Sequence, residues 1–218
     1  MEWCAANRFD DGLLRIWQPQ NHFVVLGHSN RFDSEANVAA CRAESIPILR
    51  RISGGGAVLQ GPGCLNYALI FDCDALRLRS LAATFRYVLE RHRRLLRSLA
   101  GVEIRIDGIS DLTSAGRKFS GNAQYRKARY ALVHGTFLLG LDLGLLDRCL
   151  PFPSRQPEYR KNRSHMDFVT NLQVDPTRLR EGLREVWKAG EKFADMPLDE
   201  VQSLVQKRYG FEKWTRKF

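Results

Sequence analysis

Between Leu81 and Leu99 apolar residues recur at spacings of three and four: Phe85, Val88, Leu89, His92, Leu95 and Leu96 lie between those two. Arg86, Glu90, Arg93, Arg94 and Arg97 fill the gaps. A helix with this pattern is apolar along one whole face and has to bury that face against another apolar surface. Strand-like runs before and after it supply that surface. Residues 13–17 and 22–26 read as short strands around the turn-like residues 18–21, with Pro19 among them, and predict a hairpin. Residues 47–51, 57–60 and 65–71 follow as strands. A third group comprises residues 102–106, 118–125 and 130–139, the last two joined across the basic turn Arg126-Lys127-Ala128-Arg129. Helices are expected over residues 34–43, capped by Asp33 or Ser34, and over 176–193 and 198–209. The pattern predicts an α+β fold: a central mixed, largely antiparallel sheet flanked by helices.

A chain of 218 residues with 44% hydrophobic and 27% charged residues can bury a sizeable core and is read as one domain spanning residues 1–218. Disorder and coiled coil are excluded by the same composition. No apolar run approaches the roughly 20 residues that a membrane helix needs, and Met1-Glu2-Trp3-Cys4 lacks the basic-then-apolar start of a signal peptide. A cytosolic protein without a membrane partner is therefore expected. Cys4, Cys41, Cys64, Cys73 and Cys149 are scattered, with no C-x-x-C pair and no Cys/His cluster at zinc spacing, so reduced thiols and no bound metal are expected. The net charge is +10, and residues 115–165 carry ten basic against three acidic side chains. A field of that sign attracts nucleic acid, a nucleoside triphosphate or an acidic protein surface, and charge alone does not choose among them.

Three segments carry candidate chemistry. In Arg50-Arg51-Ile52-Ser53-Gly54-Gly55-Gly56-Ala57-Val58 the glycines allow close approach of backbone to ligand, with fixed positive charge beside them. It is neither a Walker A loop nor a dinucleotide fingerprint, so a structural turn and an anion or acyl pocket both remain open. In Gly116-Arg117-Lys118-Phe119-Ser120-Gly121-Asn122-Ala123-Gln124, Lys118 offers a compact cation for a phosphate or polarised carbonyl. The plainer reading is a solvated basic face formed with Arg117, Arg126, Lys127 and Arg129. Val133-His134-Gly135-Thr136-Phe137 sets one histidine in an apolar strand, and without a partner carboxylate it reads as a satisfied histidine rather than a general base. Cys64, in Gly61-Pro62-Gly63-Cys64-Leu65-Asn66, is explained equally by a small buried hydrophobe and by a nucleophile.

Taken in order, the glycine segment, Gly63-x-x-Asn66, Ser110-Asp111-Leu112, the Gly116–Ala123 motif and His134-Gly135-Thr136-x-Leu138-Leu139 resemble the lipoate-protein ligase A family across nearly the whole chain. The resemblance implies the catalytic fold that lipoate and biotin ligases share. It implies two steps: lipoate's carboxylate attacks the α-phosphate of Mg-ATP, and the resulting lipoyl-adenylate is then consumed by a lysine of an acceptor domain. By the same resemblance Lys118 is the catalytic residue, beside the adenylate phosphate and acyl carbonyl. Gly54, Gly55 and Gly56 make room for the acyl chain and adenylate, and Arg51 supports their loop. His134 and Thr136 line or brace the pocket, and Ser53, Ala57, Asn66, Asp111, Gly116, Ser120, Gly121, Ala123 and Gly135 complete the substrate- and adenylate-binding set. An apolar tunnel for the acyl chain is required.

Close relatives separate on particular residues. Biotin-protein ligases carry a Gly-Arg-Gly-Arg-type motif that Ser53-Gly54-Gly55-Gly56 does not match. Similar octanoyltransferases place a cysteine shortly before the Gly-Arg-Lys segment, and residues 106–115 contain none, leaving a thioester without an obvious seat. Acyl transfer from octanoyl carrier protein or from lipoyl-adenylate, without ATP, is the alternative. A nucleic-acid-binding role has only the charge behind it: no helix-turn-helix precedes the motifs and no aromatic platform interleaves the basic cluster. The resemblance further implies that the separate C-terminal accessory domain of many lipoate ligases is absent, which makes an accessory subunit an expected partner. Residues 1–11 are shorter than the helix that family members carry there. Lipoate and octanoate are both left open as the acid.

Overall fold

The computed structural model describes residues 2–7, 12–194 and 196–218. Its central sheet has six strands in the order β1 (Leu13–Trp17), β5 (Cys64–Asp72), β9 (Tyr130–Leu138), β8 (Arg117–Lys127), β7 (Asp111–Ser114) and β6 (Arg105–Asp107). Every neighbouring pair in it is antiparallel. A second sheet of three strands, β3 (Ile48–Arg50), β2 (Phe23–Leu26) and β4 (Val58–Gln60), supplies the parallel pair, β2 with β3.

The helix that the spacing predicts, α4, runs from Leu81 to Ala100, after α1 (Glu2–Ala6), α2 (Phe32–Glu35) and α3 (Val38–Ala43). Ser80 Oγ accepts a hydrogen bond from Ala83 N at 3.0 Å and starts α4; Gly101, at φ +66°, ends it in the left-handed conformation that glycine adopts without strain. Val88, Leu89 and Leu96 from α4 pack with Tyr67, Val133 and Phe137 of the central sheet and with Leu179 and Leu183 of α7 (Pro176–Val186). His92 sits in this apolar layer, accepting a hydrogen bond from Trp187 Nε1 at 2.9 Å, and burial lowers its pKa to about 3. A second core joins Val24, Leu26 and Leu59 of the small sheet to Leu145, Leu146 and Cys149 of α5 (Leu143–Cys149) and to Phe168 of α6 (His165–Phe168). The last helices are α8 (Leu198–Leu204), continued by a π-helical turn, and α9 (Glu212–Thr215).

The expected hairpin of residues 13–17 and 22–26 does not form. β1 pairs with β5 and packs Leu14 and Ile16 on the α4 core, whereas β2 pairs with β3 and β4 and buries Val24 and Leu26 in the other. Adjacent apolar strands were thus divided between two cores. The helix expected over 34–43 is broken at Ala36, which is extended, because Asn37 caps α3 by accepting from Ala40 N at 3.2 Å. α7 stops at Val186 rather than at residue 193, since Lys188 takes φ +51°. Strand 102–106 becomes β6, shifted to Arg105–Asp107, with β7 as its partner. Met1 and residues 8–11 lie outside the described residues, so the expectation for residues 1–11 extends past what is described.

Leu89→Ala removes a fully buried side chain from the α4 face. It is expected to cost about 3 kcal/mol in denaturant unfolding, with the exposed Arg86→Ala changing stability by less than about 0.5 kcal/mol.

Candidate active site

Strand periodicity divides β9 between the two faces of the central sheet. Ala131, Val133 and Phe137 point to the α4 core, and His134, Thr136 and Leu138 line a cavity of about 420 Å³ on the other side. That cavity lies between the central sheet, the glycine segment and residues 146–169. Phe23, Val25, Leu59, Leu138, Leu146 and Leu150 give it apolar wall.

The neighbouring strand β8 breaks its alternation. Its register against β7 runs Asp111 to Gly121 and Leu112 to Ser120, then jumps to Thr113 with Lys118. Phe119 is the extra residue of a β-bulge, and Phe119 and Ser120 are both fully buried. In an unbroken strand Lys118 and Gly121 would face opposite ways; the bulge turns both into the cavity. They are so close that a Cβ on Gly121 would lie 2.9 Å from Lys118 Nζ. Lys118 Nζ pairs with Asp111 Oδ1 at 2.8 Å, and Asp111 Oδ2 accepts from the Tyr159 hydroxyl at 2.7 Å. One carboxylate thus holds the lysine and ties it to the 3-10 turn at Glu158–Arg160.

Arg51 organises the glycine segment. Its Nη2 donates to Gly54 O at 2.7 Å and Gly56 O at 2.9 Å, its Nη1 to Val25 O at 3.1 Å and its Nε to Ser53 Oγ at 3.2 Å. Gly55, at φ +97°, lets the loop wrap the guanidinium. Burial lowers the Arg51 pKa to about 10, which leaves it cationic at neutral pH. Ser53 Oγ lies 2.6 Å from His134 Nε2. Ser53 Oγ, which accepts from Arg51, can still donate its own hydrogen to Nε2 of a neutral imidazole. Burial and the Arg51 charge lower the His134 pKa to about 4. His134 braces β9 against the loop, as a satisfied histidine would.

Asn66, Gln60 and Thr136 close a ring: Asn66 Nδ2 donates to Gln60 Oε1 at 2.8 Å, Gln60 Nε2 to Thr136 Oγ1 at 2.7 Å, and Thr136 Oγ1 to Asn66 Oδ1 at 2.5 Å. Of the other residues singled out by sequence, Gly56, Ala57, Ala123 and Gly135 line the cavity. Ser53, Gly54, Gly116 and Ser120 are not among the lining residues; Ser53 and Ser120 are buried, whereas Gly54 and Gly116 are exposed. Gly116 O receives Arg163 Nη1 at 3.0 Å, and Ser120 Oγ receives Asn122 Nδ2 at 3.3 Å. Sequence reasoning passed over Gln60, Asn122, Tyr159 and Arg160, which reach the site from a strand, a motif position not selected and a segment read as a mere connection. The arginine and tyrosine in that Pro-rich segment were the available signal.

The plain reading of a solvated basic face fails for several of its members. Arg117 Nη2 donates to Met166 O at 2.7 Å and Val169 O at 2.6 Å; Arg126 Nη2 binds Leu78 O and Ser80 O; Arg129 pairs with Asp72 at 2.9 Å. All five cysteines are free and buried, none lines the cavity, and burial raises Cys64 to about 11 and Cys149 to about 12. Among the described residues no group of three or more His, Cys, Asp or Glu is placed to hold a metal ion, and no helix is long and apolar enough to cross a membrane.

Because His134 is held neutral, its contribution to stability is present above about pH 6.5 and is lost as pH falls towards 4, by up to about 3 kcal/mol. His134→Gln is expected to flatten the unfolding free energy between pH 6.5 and 4 relative to the parent by that order, measured in urea at stepped pH.

Residues 1–178 match the family model of the lipoyl protein ligase A/B catalytic domain. Lipoate–protein ligase 1 of Staphylococcus aureus is 28% identical over 202 residues, covering 88% of this chain and 60% of that protein. The bi-partite lipoate protein ligase of Thermoplasma acidophilum, solved in a study of an archaeal lipoylation system, superposes with a TM-score of 0.82 at 21% identity, covering 98% of this chain and 88% of that one. A crystal structure of lipoate-protein ligase A bound with ATP gives 0.78 at 23% identity, covering 95% and 87%. The chain spans about three-fifths of the length of the curated relatives it matches, 60–63% for three of them. With most of its length matched and the fold shared, this chain belongs to the lipoyl protein ligase A/B catalytic domain family.

Proposed function

We propose that this chain activates lipoate, or its precursor octanoate, with ATP as an acyl-adenylate and transfers the acyl group to a lysine of a lipoyl-acceptor domain. The observation that carries this reading is the pairing of a lysine ammonium with a thiol-free cavity: Lys118 faces the space beside the glycine segment, and no cysteine lines it. A cation fixed there stabilises the charge that develops on the α-phosphate during activation and on the acyl oxygen during transfer. Asp111 holds Lys118 before substrate arrives and is positioned by Tyr159. The apolar wall takes the acyl chain, and the loop around Arg51 closes over the reacting carboxyl. Mg2+ enters as the counter-ion of the triphosphate.

Acyl transfer through a cysteine, the alternative chemistry, needs a thiolate within reach of the acyl group. The raised pKa values of Cys64 and Cys149, and their absence from the cavity lining, argue against it. The net charge of +10 suits ATP and an acidic acceptor domain through electrostatic steering, and five unpaired thiols suit the cytosol. Relatives that are bi-partite or longer support an accessory subunit as a further partner.

The test is the intact mass of a lipoyl-acceptor domain after incubation with lipoate and Mg-ATP, and in parallel with synthetic lipoyl-adenylate. A lipoyl increment in both tubes is expected of a self-sufficient ligase, and an increment from the adenylate alone assigns activation to a missing subunit. Lys118→Ala is expected to slow transfer from the adenylate at least about 100-fold. Modification from octanoyl carrier protein alone would contradict the proposal.

A further inference from the structure

Three arginines are drawn into the protein around the cavity, and they differ in what their guanidinium groups hold. Arg51 is committed by four bonds, three to the glycine segment and one to Val25 O of β2. Arg50 donates to the carbonyls of Gly27, His28, Asn30 and Thr215, and although its Nη2 is also buried without an acceptor, Arg50 does not line the cavity. Arg160 is only 4% exposed and lines the cavity, yet its side chain makes one protein hydrogen bond, from Nε to Arg163 O at 3.0 Å. Its Nη2 is buried without an acceptor, and among the described residues it has no ion-pair partner. The guanidinium carbon lies 4.8 Å from the ring centres of both Phe152 and Phe168, so two aromatic faces hold the fork in place.

A buried cation without a counter-charge is unfavourable unless an anion completes it, and an unmatched N–H adds to that cost. The position is nonetheless built: the 3-10 turn that carries Arg160 is held by Tyr159 on Asp111 and by Arg163 Nη2 on Tyr159 O at 2.9 Å. Residue 159 reaches the carboxylate that holds Lys118, so Arg160, the next residue of the same turn, lines the cavity into which Lys118 also faces. We infer that Arg160 is a further substrate-binding residue, whose planar fork takes phosphoryl oxygens of the nucleotide that enters this cavity. The inference rests on the ligase reading above for the identity of the phosphoryl compound. Two sources share the chemistry: the pyrophosphate that leaves during activation and the α-phosphate that stays in the adenylate.

Calorimetric titration of the whole chain with inorganic pyrophosphate and, separately, with AMP tests this in the parent, Arg160→Gln and Arg160→Lys. One probe is expected to bind Arg160→Gln at least about tenfold more weakly, with Arg160→Lys intermediate because it keeps the charge and loses the fork. Weakened pyrophosphate assigns Arg160 to the leaving group, and weakened AMP assigns it to the α-phosphate. Octanoate binding is expected to be unchanged in both variants, which also reports that they fold; if Arg160→Gln fails to fold, Arg160→Lys carries the comparison. Binding of both probes within twofold of the parent, absence of binding to the parent, or loss of octanoate alone would overturn the inference. The two readings fail separately. Adenylate formation undiminished in Arg160→Gln removes the anion site and leaves the ligase, whereas Arg160-dependent pyrophosphate binding without adenylate formation does the reverse.

Discussion

The arrangement of the cavity, and with it the proposed chemistry, depends on one irregularity, the extra residue that β8 carries against β7. A regular strand would place Lys118 and Gly121 on opposite faces of the sheet, so either the lysine or the space for its ammonium would be lost to the α4 core. With Phe119 taking up the extra position, both face the cavity, and Asp111 lies across the ladder from Gly121 to receive Nζ. The bulge is stabilised by what it buries: Phe119 and Ser120 are fully enclosed, and Thr170 N donates to Lys118 O at 2.9 Å. Re-aiming a side chain at an active site is a recurring use of such bulges.

Around that point the protein uses arginine largely as a backbone clamp. Arg51 gathers the carbonyls of the glycine loop, Arg117 and Arg163 tie residues 157–169 to the start of β8, and Arg126 holds the entry to α4. A charged donor gives stronger hydrogen bonds to carbonyls than a neutral one, so these loops are fixed without a large apolar core of their own. Part of the net positive charge is therefore structural. What remains at the cavity is a small set of cations, Lys118 neutralised by Asp111 and Arg160 without an ion-pair partner among the described residues.

The parts of the fold set by periodicity and punctuation were legible in the sequence. Helix α4 and the β8–β9 hairpin follow from spacing and turn chemistry that act locally. The partners of β1 and β2 were not legible, because two short apolar strands beside a turn carry no mark of belonging to different cores. The break at Ala36 came from a side-chain cap competing with the helix, and the bulge at Phe119 shows only in register against another strand. At the site, Arg51, Lys118 and His134 stand in recognisable segments. Gln60, Tyr159 and Arg160 arrive through tertiary packing, from positions whose local sequence looks like an edge strand or a connection.

The central claim is that the acyl group passes from adenylate to acceptor lysine without a covalent stop on this chain. Its most direct test is the intact mass of the protein itself, quenched in acid during turnover of lipoyl-adenylate with a limiting acceptor domain. The account requires an unmodified mass while lipoylated acceptor accumulates. A lipoyl increment on the protein that forms and decays at the rate of transfer would contradict it and return the chemistry to a cysteine.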